Sequence, residues 1–211
     1  MKALTASDRE QIEEILSFWF GEVEGIDDTD QTKMRLWWQG HPEDDEAIKQ
    51  RFASTVEDAL EGKLNHWCGE PRGSLALILT LDQFTRVLGR GTSHAFAGDS
   101  AAQKHCLEAI EQGLDEQLRF CERSFLYMPL MHAENKELAQ RSLDVFQKLE
   151  ESRAAHRGEE AQGNSHAKQH ADIVLRFGRY PHRNELLGRE STPEEEAFME
   201  DGGPSFGQKK K

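Results

Sequence analysis

The chain is poor in cysteine and proline, and it has no long apolar run. Only 3 of its 211 residues are cysteines and 6 are prolines. Cys68, Cys106 and Cys121 are scattered without Cys-x-x-Cys spacing, a pattern typical of reduced thiols rather than of disulfides or zinc sites. No stretch approaches the roughly 20 apolar residues of a membrane span, and the first residues do not resemble a signal peptide. We therefore expect a cytoplasmic protein without a metal or cofactor.

Positive charge is also scarce, since the formal net charge is -13. A phosphate-backbone binder needs a broad basic surface, and an anionic membrane repels an acidic protein. We therefore expect neither nucleic acid nor a membrane as a partner. The length suits one large domain or two small ones, and a hydrophobic content of 36% is enough to form a core.

Helical periodicity runs through the chain. Ser7 and Glu10 have the spacing of a capping box before a first helix that ends at Gly21. Further helices are predicted around residues 34–38, 43–62, 75–88, 99–113, 114–121, 124–132, 138–149, 165–178 and from 193 onward. Asp99 is predicted to cap the helix that it precedes, and residues 150–164 are predicted to be an exposed helix end and loop.

The strongest apolar run covers residues 75–81, where every face of a helix would be apolar. A buried strand is the alternative, but Leu77, Leu81, Phe84 and Leu88 keep helical register, which favours a central helix. About nine helices with short loops predict an all-α fold, an irregular array of antiparallel helices. We expect one domain over residues 1–201 and a mobile tail over 202–211, unless Phe206 docks.

The most unusual segment is a cluster of arginines near the carboxyl end, Arg176-Phe177-Gly178-Arg179-Tyr180-Pro181-His182-Arg183-Asn184, followed by Arg189. Two interpretations stay open. The guanidinium groups either pair with carboxylates such as Asp172, Glu185 or Glu190, or they bind an anionic ligand through bidentate hydrogen bonds.

Three further groups could carry chemistry. Pro129 frees backbone carbonyls, so His132 or Glu134 could point into a cavity, or their polar groups could simply satisfy a kink. Asp82, Gln83 and Arg86 form either a buried bracing network or the floor of a site. His166 and His170 have the spacing of two metal ligands, but without a glutamate between them we expect no metal there.

Several ordered motifs resemble the bacterial domain-of-unknown-function family nine-two-four: Phe18-Trp19-Phe20-Gly21, Pro71-Arg72-Gly73, Leu81-Asp82-Gln83-Phe84, Arg90-Gly91-Thr92, Tyr127-Met128-Pro129-Leu130 and the segment from Arg176 to Asn184. The resemblance implies a tetratricopeptide-like helical fold and supplies no reaction. Thr85, Val87, Met131 and Ala133 depart from the usual Pro, Asn, Glu and Ser of the family.

Two functional hypotheses follow, beside a third in which the polar residues only brace the helices of an interaction scaffold. In the first, a groove between helices binds an anionic small molecule or an acidic peptide. Its expected ligand-binding residues are Asp82, Gln83, Arg86, Glu134, Asp172, Arg176, Arg179, His182 and Arg183. In the second, His132 and His170 act as acid and base in the hydrolysis of a small phosphorylated or acylated molecule.

Overall fold

A computed structural model describes residues 3–208, and this part of the chain consists of helices and turns without a strand. The helices are α1 (Ala6–Phe20), α2 (Met34–Trp38), α3 (Pro42–Leu60), α4 (Pro71–Leu79), α5 (Thr85–Leu88), α6 (Asp99–Glu111), α7 (Phe120–Met131), α8 (Lys136–Arg157), α9 (Ser165–Phe177) and α10 (Pro193–Glu200). A π-helical segment, Thr80–Phe84, joins α4 and α5 into one rod. Counting that rod once, the described residues contain nine helices, which confirms the predicted all-α fold.

The central rod is the one that the apolar run predicted. Every residue of α4 from Gly73 to Leu79 is buried. The rod packs against α1, α3, α6 and α7. Aromatic rings from these helices meet beside it, with Trp19 lying 5.6 Å from Phe84 and 5.5 Å from Phe125 between ring centroids. No helix of the described part is long and apolar enough to cross a membrane.

The predicted start of α1 is wrong by two residues. The capping box uses Thr5 and Asp8 instead of Ser7 and Glu10. The reason is tertiary. Asp8 Oδ1 also accepts a hydrogen bond from Trp67 Nε1 at 3.0 Å and lies 2.9 Å from His66 Nε2. These contacts fix Asp8 at the third helical position, which only a start after Thr5 allows.

Three other predicted helix limits are corrected. Asp99 is the first residue of α6, and Gly98 takes the capping position. The helix expected at residues 114–121 is only a 3₁₀ turn, because Leu118 is extended and a new helix begins at Phe120. That helix, α7, starts at Phe120 instead of near residue 124 and runs as one helix through Pro129 to Met131.

Helix α8 extends to Arg157, beyond the predicted limit near residue 149. Arg153 Nε donates to Asp27 Oδ1 at 2.6 Å, and Arg157 bonds to the other oxygen of the same carboxylate. These ion pairs hold the polar end of α8 against the loop after α1. The predicted loop is therefore shorter and ends at Asn164, which caps α9 as expected.

A second, smaller apolar cluster joins α9 to the end of the chain. Tyr180 is fully buried in it, and Phe177 and Phe198 pack against it. Phe206, in the predicted tail, also docks on this cluster. The tail was expected to be mobile unless Phe206 docked, and Phe206 does dock. The predicted domain limits stay a prediction. Residues 209–211, part of the predicted mobile tail, lie outside the described residues. The first two residues, at the start where no signal peptide was expected, also lie outside them.

Candidate functional site

A cleft of about 1520 Å³ lies between the N-terminal helices α2 and α3 and the C-terminal elements. Its floor is formed by α7 and the central rod, while α9, the turn after it and the last described residues close one end. Aromatic side chains from separate elements share its lining: Trp19, Trp37, Trp38, Phe96, Phe125, Phe146 and Phe206.

A carboxylate–imidazole pair lies at the floor. Asp82, which the π-helical segment places beneath the cleft surface, is 1% exposed. Its two carboxylate oxygens lie 2.9 and 3.0 Å from His132 Nδ1. Burial alone would raise the pKa of Asp82, but Arg86 and the hydrogen bonds from His132 and Gln83 outweigh it and hold the pKa well below its usual value.

The charge of Asp82 determines the tautomer of His132. An ionised carboxylate only accepts hydrogen bonds, so Nδ1 of His132 carries the hydrogen. Burial lowers the pKa of His132, and the attraction of Asp82 offsets only part of that effect. The ring is therefore neutral near pH 7, with an unprotonated Nε2. His132 lines the cleft, so this nitrogen provides a hydrogen-bond acceptor or base there.

Two arginines and a second aspartate extend this network. Arg86 Nη1 lies 2.9 Å from Asp82 Oδ1, and Arg183 Nη1 donates to Asp99 Oδ2 at 3.0 Å. Arg86 Nη2 lies 2.8 Å from Asp99 Oδ1, but the two atoms are not aligned and make no hydrogen bond. The four charges balance, while Arg86 and Arg183 also line the cleft. The guanidinium of Arg183 stacks between the rings of Phe96 and Tyr180, 4.5 Å from each centroid.

The second histidine is held by a tyrosine. The Tyr180 hydroxyl donates to Met131 O at 2.5 Å, so it can only accept from His170 Nδ1, 2.9 Å away. This contact again places the hydrogen of the imidazole on Nδ1. Burial, with repulsion from His132 and Arg183, lowers the pKa of His170 to about 2. The rings of His132 and His170 are 5.7 Å apart, so the two residues predicted as acid and base converge.

The C-terminal segment forms the end of the cleft beside these histidines. The ring of Phe206 stacks on His170 with centroids 3.9 Å apart, and it lies 5.4 Å from the ring of His182. Burial lowers the pKa of His182 to about 3. Gln208 Nε2 donates to the backbone oxygen of Arg86 at 3.3 Å. Two neutral imidazoles, those of His170 and His182, thus lie against the Phe206 ring.

The structure brings together only some of the predicted site residues. Those that line the cleft are Gln83, Arg86, His132, His170, His182 and Arg183. Asp82 lies directly below them. The other four make ion pairs or hydrogen bonds elsewhere: Glu134 with Arg189, Asp172 with Lys168, Arg176 with Glu194, and Arg179 with Glu195. Roles for these residues in binding or catalysis stay predictions.

Arg179 shows why the arginine cluster divides. Its guanidinium forms a fork on Glu195, with nitrogen–oxygen distances of 2.6 and 2.7 Å, and it also donates to Glu190 O. Glu195 is 2% exposed, and the hydrogen bonds from Arg179 lower its pKa to about 2. Of the two interpretations left open for the cluster, Arg179 therefore follows the pairing with a carboxylate. Among the arginines of this segment, Arg183 lines the cleft.

Several residues of the cleft and of the network beside it were not predicted as site residues. Phe96 and Phe206 line the cleft and carried no functional signal, while Asp99 and Tyr180 belong to the network and were assigned to a cap and a motif. A partly buried acid that faces two arginines cannot be identified from spacing, because Asp99 and Arg183 are 84 residues apart. His166, one of the two histidines with metal-ligand spacing, stacks on Trp38 at 6.1 Å instead of facing His170.

Comparisons with known proteins identify relatives but no activity. The family described as bacterial protein of unknown function (DUF924) matches residues 15–203. The chain is also similar to a solved structure, that of the protein of unknown function ATU0120 from Agrobacterium tumefaciens. The two share 34% identity with a TM-score of 0.76, over 92% of this chain and 99% of the other. A comparison with curated proteins finds no significant match.

Proposed function

The chain belongs to the bacterial DUF924 family, and we propose that its cleft binds an anionic small molecule with an apolar body. The family is described only as proteins of unknown function, so the activity must be inferred from the cleft itself. The observation that supports this proposal most directly is one end of the cleft, where Arg183, His182 and His170 lie beside the rings of Phe96 and Phe206. Hydrogen-bond donors and aromatic surface in one concave site are typical of ligand sites.

The size and lining of the cleft support this proposal. Small-molecule pockets typically have volumes of about 300–1,000 Å³, and this cleft is larger. It has room for a ligand with several rings or a long apolar chain. The lining contains five basic side chains, Lys49, Arg86, Arg90, Arg153 and Arg183, and four acidic ones, Asp45, Glu46, Glu57 and Glu150, so it is less acidic than the whole protein, whose net charge is -13. The local potential therefore favours an anion more than the rest of the surface does.

The test is thermal stabilisation by defined anions. A ligand that binds only the folded chain raises the melting temperature in a saturable way. We expect saturable shifts with an aryl carboxylate such as naphthoate, larger than those with inorganic phosphate or succinate. Changing His182→Ala removes a cleft side chain without breaking an ion pair, and we expect it to weaken the naphthoate response at least threefold.

Arg176→Ala is the matched control, because Arg176 pairs with Glu194 on the exposed surface. It should respond as the unaltered protein does. Equal, unsaturated shifts with all anions in every variant would show a general salt effect and contradict the proposal. A response only to an acidic peptide would redirect the proposal to a peptide ligand.

A second candidate function, hydrolysis, is favoured by the Asp82–His132 pair. In this reaction Nε2 of His132 would accept a proton from a water molecule that attacks a phosphoryl or acyl group, and Asp82 would stabilise the imidazolium that forms. The arginines would bind the negative charge that develops. His170 would position the substrate, since its low pKa makes it a weak base.

Hydrolysis is tested with chromogenic phosphate and acetate esters. The free His132 imidazole is the active form, so the rate should rise as pH increases through its lowered pKa and then level off above pH 6.5. His132→Gln should reduce the rate by about 100-fold or more. A rate that is unchanged in His132→Gln would remove this candidate.

A further inference from the structure

A second group of chemically reactive side chains lies outside the cleft. Cys68 follows the 3₁₀ turn Asn65–Trp67, while His105 and Glu108 lie one turn apart on α6. Cys68 Sγ is 3.2 Å from His105 Nδ1, and Glu108 Oε2 is 3.1 Å from the same nitrogen. The three ligand atoms all lie within 4.8 Å of one another. A thiol, an imidazole and a carboxylate therefore converge on one point.

The orientation of His105 is set from its other side. Its Nε2 lies 3.3 Å from the Oδ1 of Asn65, an oxygen that can only accept a hydrogen bond. Asn65 can therefore accept a hydrogen bond from Nε2–H while the Nδ1 lone pair binds an ion, whereas without an ion the Glu108 carboxylate accepts from Nδ1–H. Metal-bound histidines are held in the same way, with the distal N–H donated to an oxygen.

We propose that Cys68, His105 and Glu108 bind one Zn²⁺ ion, with water as the fourth ligand. Thiolate, imidazole and carboxylate are the groups that bind zinc in proteins, and three protein ligands with one open position is the pattern of exchangeable or catalytic sites. No carboxylate or thiol of the cleft contributes, so this site is independent of the proposed ligand-binding function.

Two of the three separations between ligand atoms are close to those around a tetrahedral ion. Usual zinc bond lengths require about 3.6 Å between sulfur and nitrogen and about 3.4 Å between nitrogen and oxygen. The observed separations, 3.2 and 3.1 Å, are shorter by only a few tenths of an ångström. Rotation of the Glu108 side chain, which is 40% exposed, can supply this change. His105 is buried and fixes the position of the ion.

Zn²⁺ binding at this site is coupled to the loss of the thiol proton of Cys68. A thiol that binds no ion keeps its proton near pH 7, because the ordinary pKa of cysteine is about 8.5. Binding forms one Zn–S, one Zn–N and one Zn–O bond and releases the thiol proton to solvent. Affinity should therefore increase with pH. Lys104 lies 3.8 Å from Glu108 Oε1 and leaves Oε2 for the ion.

The proposal is tested with Co²⁺ and Zn²⁺ on the untagged full chain after treatment with a chelator. Co²⁺ bound by a thiolate absorbs in the near ultraviolet, so one equivalent should produce a charge-transfer band that Zn²⁺ abolishes. Cys68→Ser should lose the band. Glu108→Gln, a change at a partly exposed position, should keep the fold and weaken Zn²⁺ binding at least tenfold. Asn65→Ala should weaken binding roughly 10- to 100-fold.

Cys121→Ser is the matched control, since it removes a different, partly buried thiol. It should retain both the band and the affinity. If the unaltered protein shows no band, or if the band persists in Cys68→Ser, the proposal is overturned, and the cluster is a set of hydrogen bonds. Circular dichroism of each variant separates the loss of a ligand from the loss of the fold.

Discussion

Asp82 places a charged carboxylate in the core, and three donors hold it there. His132 Nδ1, Arg86 Nη1 and Gln83 Nε2 lie 2.6 to 2.9 Å from its oxygens at their closest approach. Removing one partner from a buried ion pair leaves the other charge unpaired, which is costly because the core does not solvate it. Asp82 therefore couples the stability of the fold to the geometry of the cleft.

Asp82→Asn should lower the free energy of unfolding by about 3 kcal/mol, because Arg86 loses a partner in a buried environment. Urea denaturation monitored by circular dichroism measures the change. The matched control is Asp172→Asn, at an exposed pair with Lys168. An exposed pair contributes at most about 1 kcal/mol, so the control should be nearly neutral. Equal effects of the two changes would contradict the role of burial.

The buried histidines predict sensitivity to acid. His170 has a pKa of about 2 in the folded chain and about 6.5 when unfolded, so between these values the unfolded chain binds the extra proton. Stability is therefore present above pH 6.5 and decreases as pH falls, by up to about 1.4 kcal/mol per pH unit for this group. His170→Gln should flatten the decrease between pH 6 and 4 in urea titrations. An unchanged slope would show that other groups dominate.

At the scale of elements, the end of α8 depends on a distant carboxylate. Residues 150–157 are mostly polar, and this helical end is held by Arg153 and Arg157, which both bind Asp27, together with the buried side chain of Ala154. One carboxylate thus stabilises two turns of helix and fixes the loop after α1 at the same time.

Asp27→Asn should loosen this helix end. We expect amide hydrogen exchange of residues 150–157 to become at least tenfold faster, while the first turns of α8 exchange as before. Hydrogen exchange with mass spectrometry measures it. Asp28→Asn is the control, since the Asp28 carboxylate only accepts from Gly25 N in a local turn. Faster exchange along the whole of α8 would instead indicate general destabilisation.

Local patterns predicted the elements whose signals are local. The start of α10 at Pro193 and the end of α9 before Gly178 were found where expected, and the central helix followed from its register. The π-helical turn was not predicted, because the one-residue shift of a widened turn is hidden in a segment that is apolar on every face. The length of α8 was missed because its stabilising partner, Asp27, is 126 residues from Arg153.

At the scale of the whole molecule, the N-terminal helices α2 and α3 and the C-terminal residues 204–208 line the same cleft. The C-terminal segment contributes Phe206, whose φ of 48° is unusual for a residue with a side chain. Such a conformation persists only where packing holds it, here against His170 and Tyr180. The segment therefore covers one end of the cleft and sets access to its histidines.

Phe206→Ala should expose His170 to reagents. We expect modification of His170 by diethyl pyrocarbonate to become several times faster, as measured by peptide mass spectrometry. Phe198→Ala is the matched control, because Phe198 packs on Phe177 in the same cluster without contacting His170. An equal increase in both variants would indicate loosening of the whole cluster instead of removal of a cover.

The sequence indicated which residue types gather at the candidate site, but it did not indicate which arginine pairs with which carboxylate. The structure places Gln83, Arg86, His132 and Arg183 in the lining of one cleft, with Asp82 in contact with Arg86 and His132, and their role in a site stays a prediction. Which arginine reaches the cleft depends on α10, whose Glu195 binds Arg179. The pairing of Arg179 with Glu195 depends on how the helices pack, so it cannot be predicted from the spacing of residues within the arginine cluster.

Trp38 makes the cleft optically visible. Its indole is 56% exposed and lines the cleft, stacked near His166, whereas Trp19 and Trp67 are buried in the core. A molecule that covers this indole removes water from it, so emission from the native chain should shift toward the blue without any attached dye. Every titration proposed for the cleft therefore has an intrinsic fluorescent reporter, and Trp38→Phe should reduce the shift, because Trp37 and Trp19 also line the cleft.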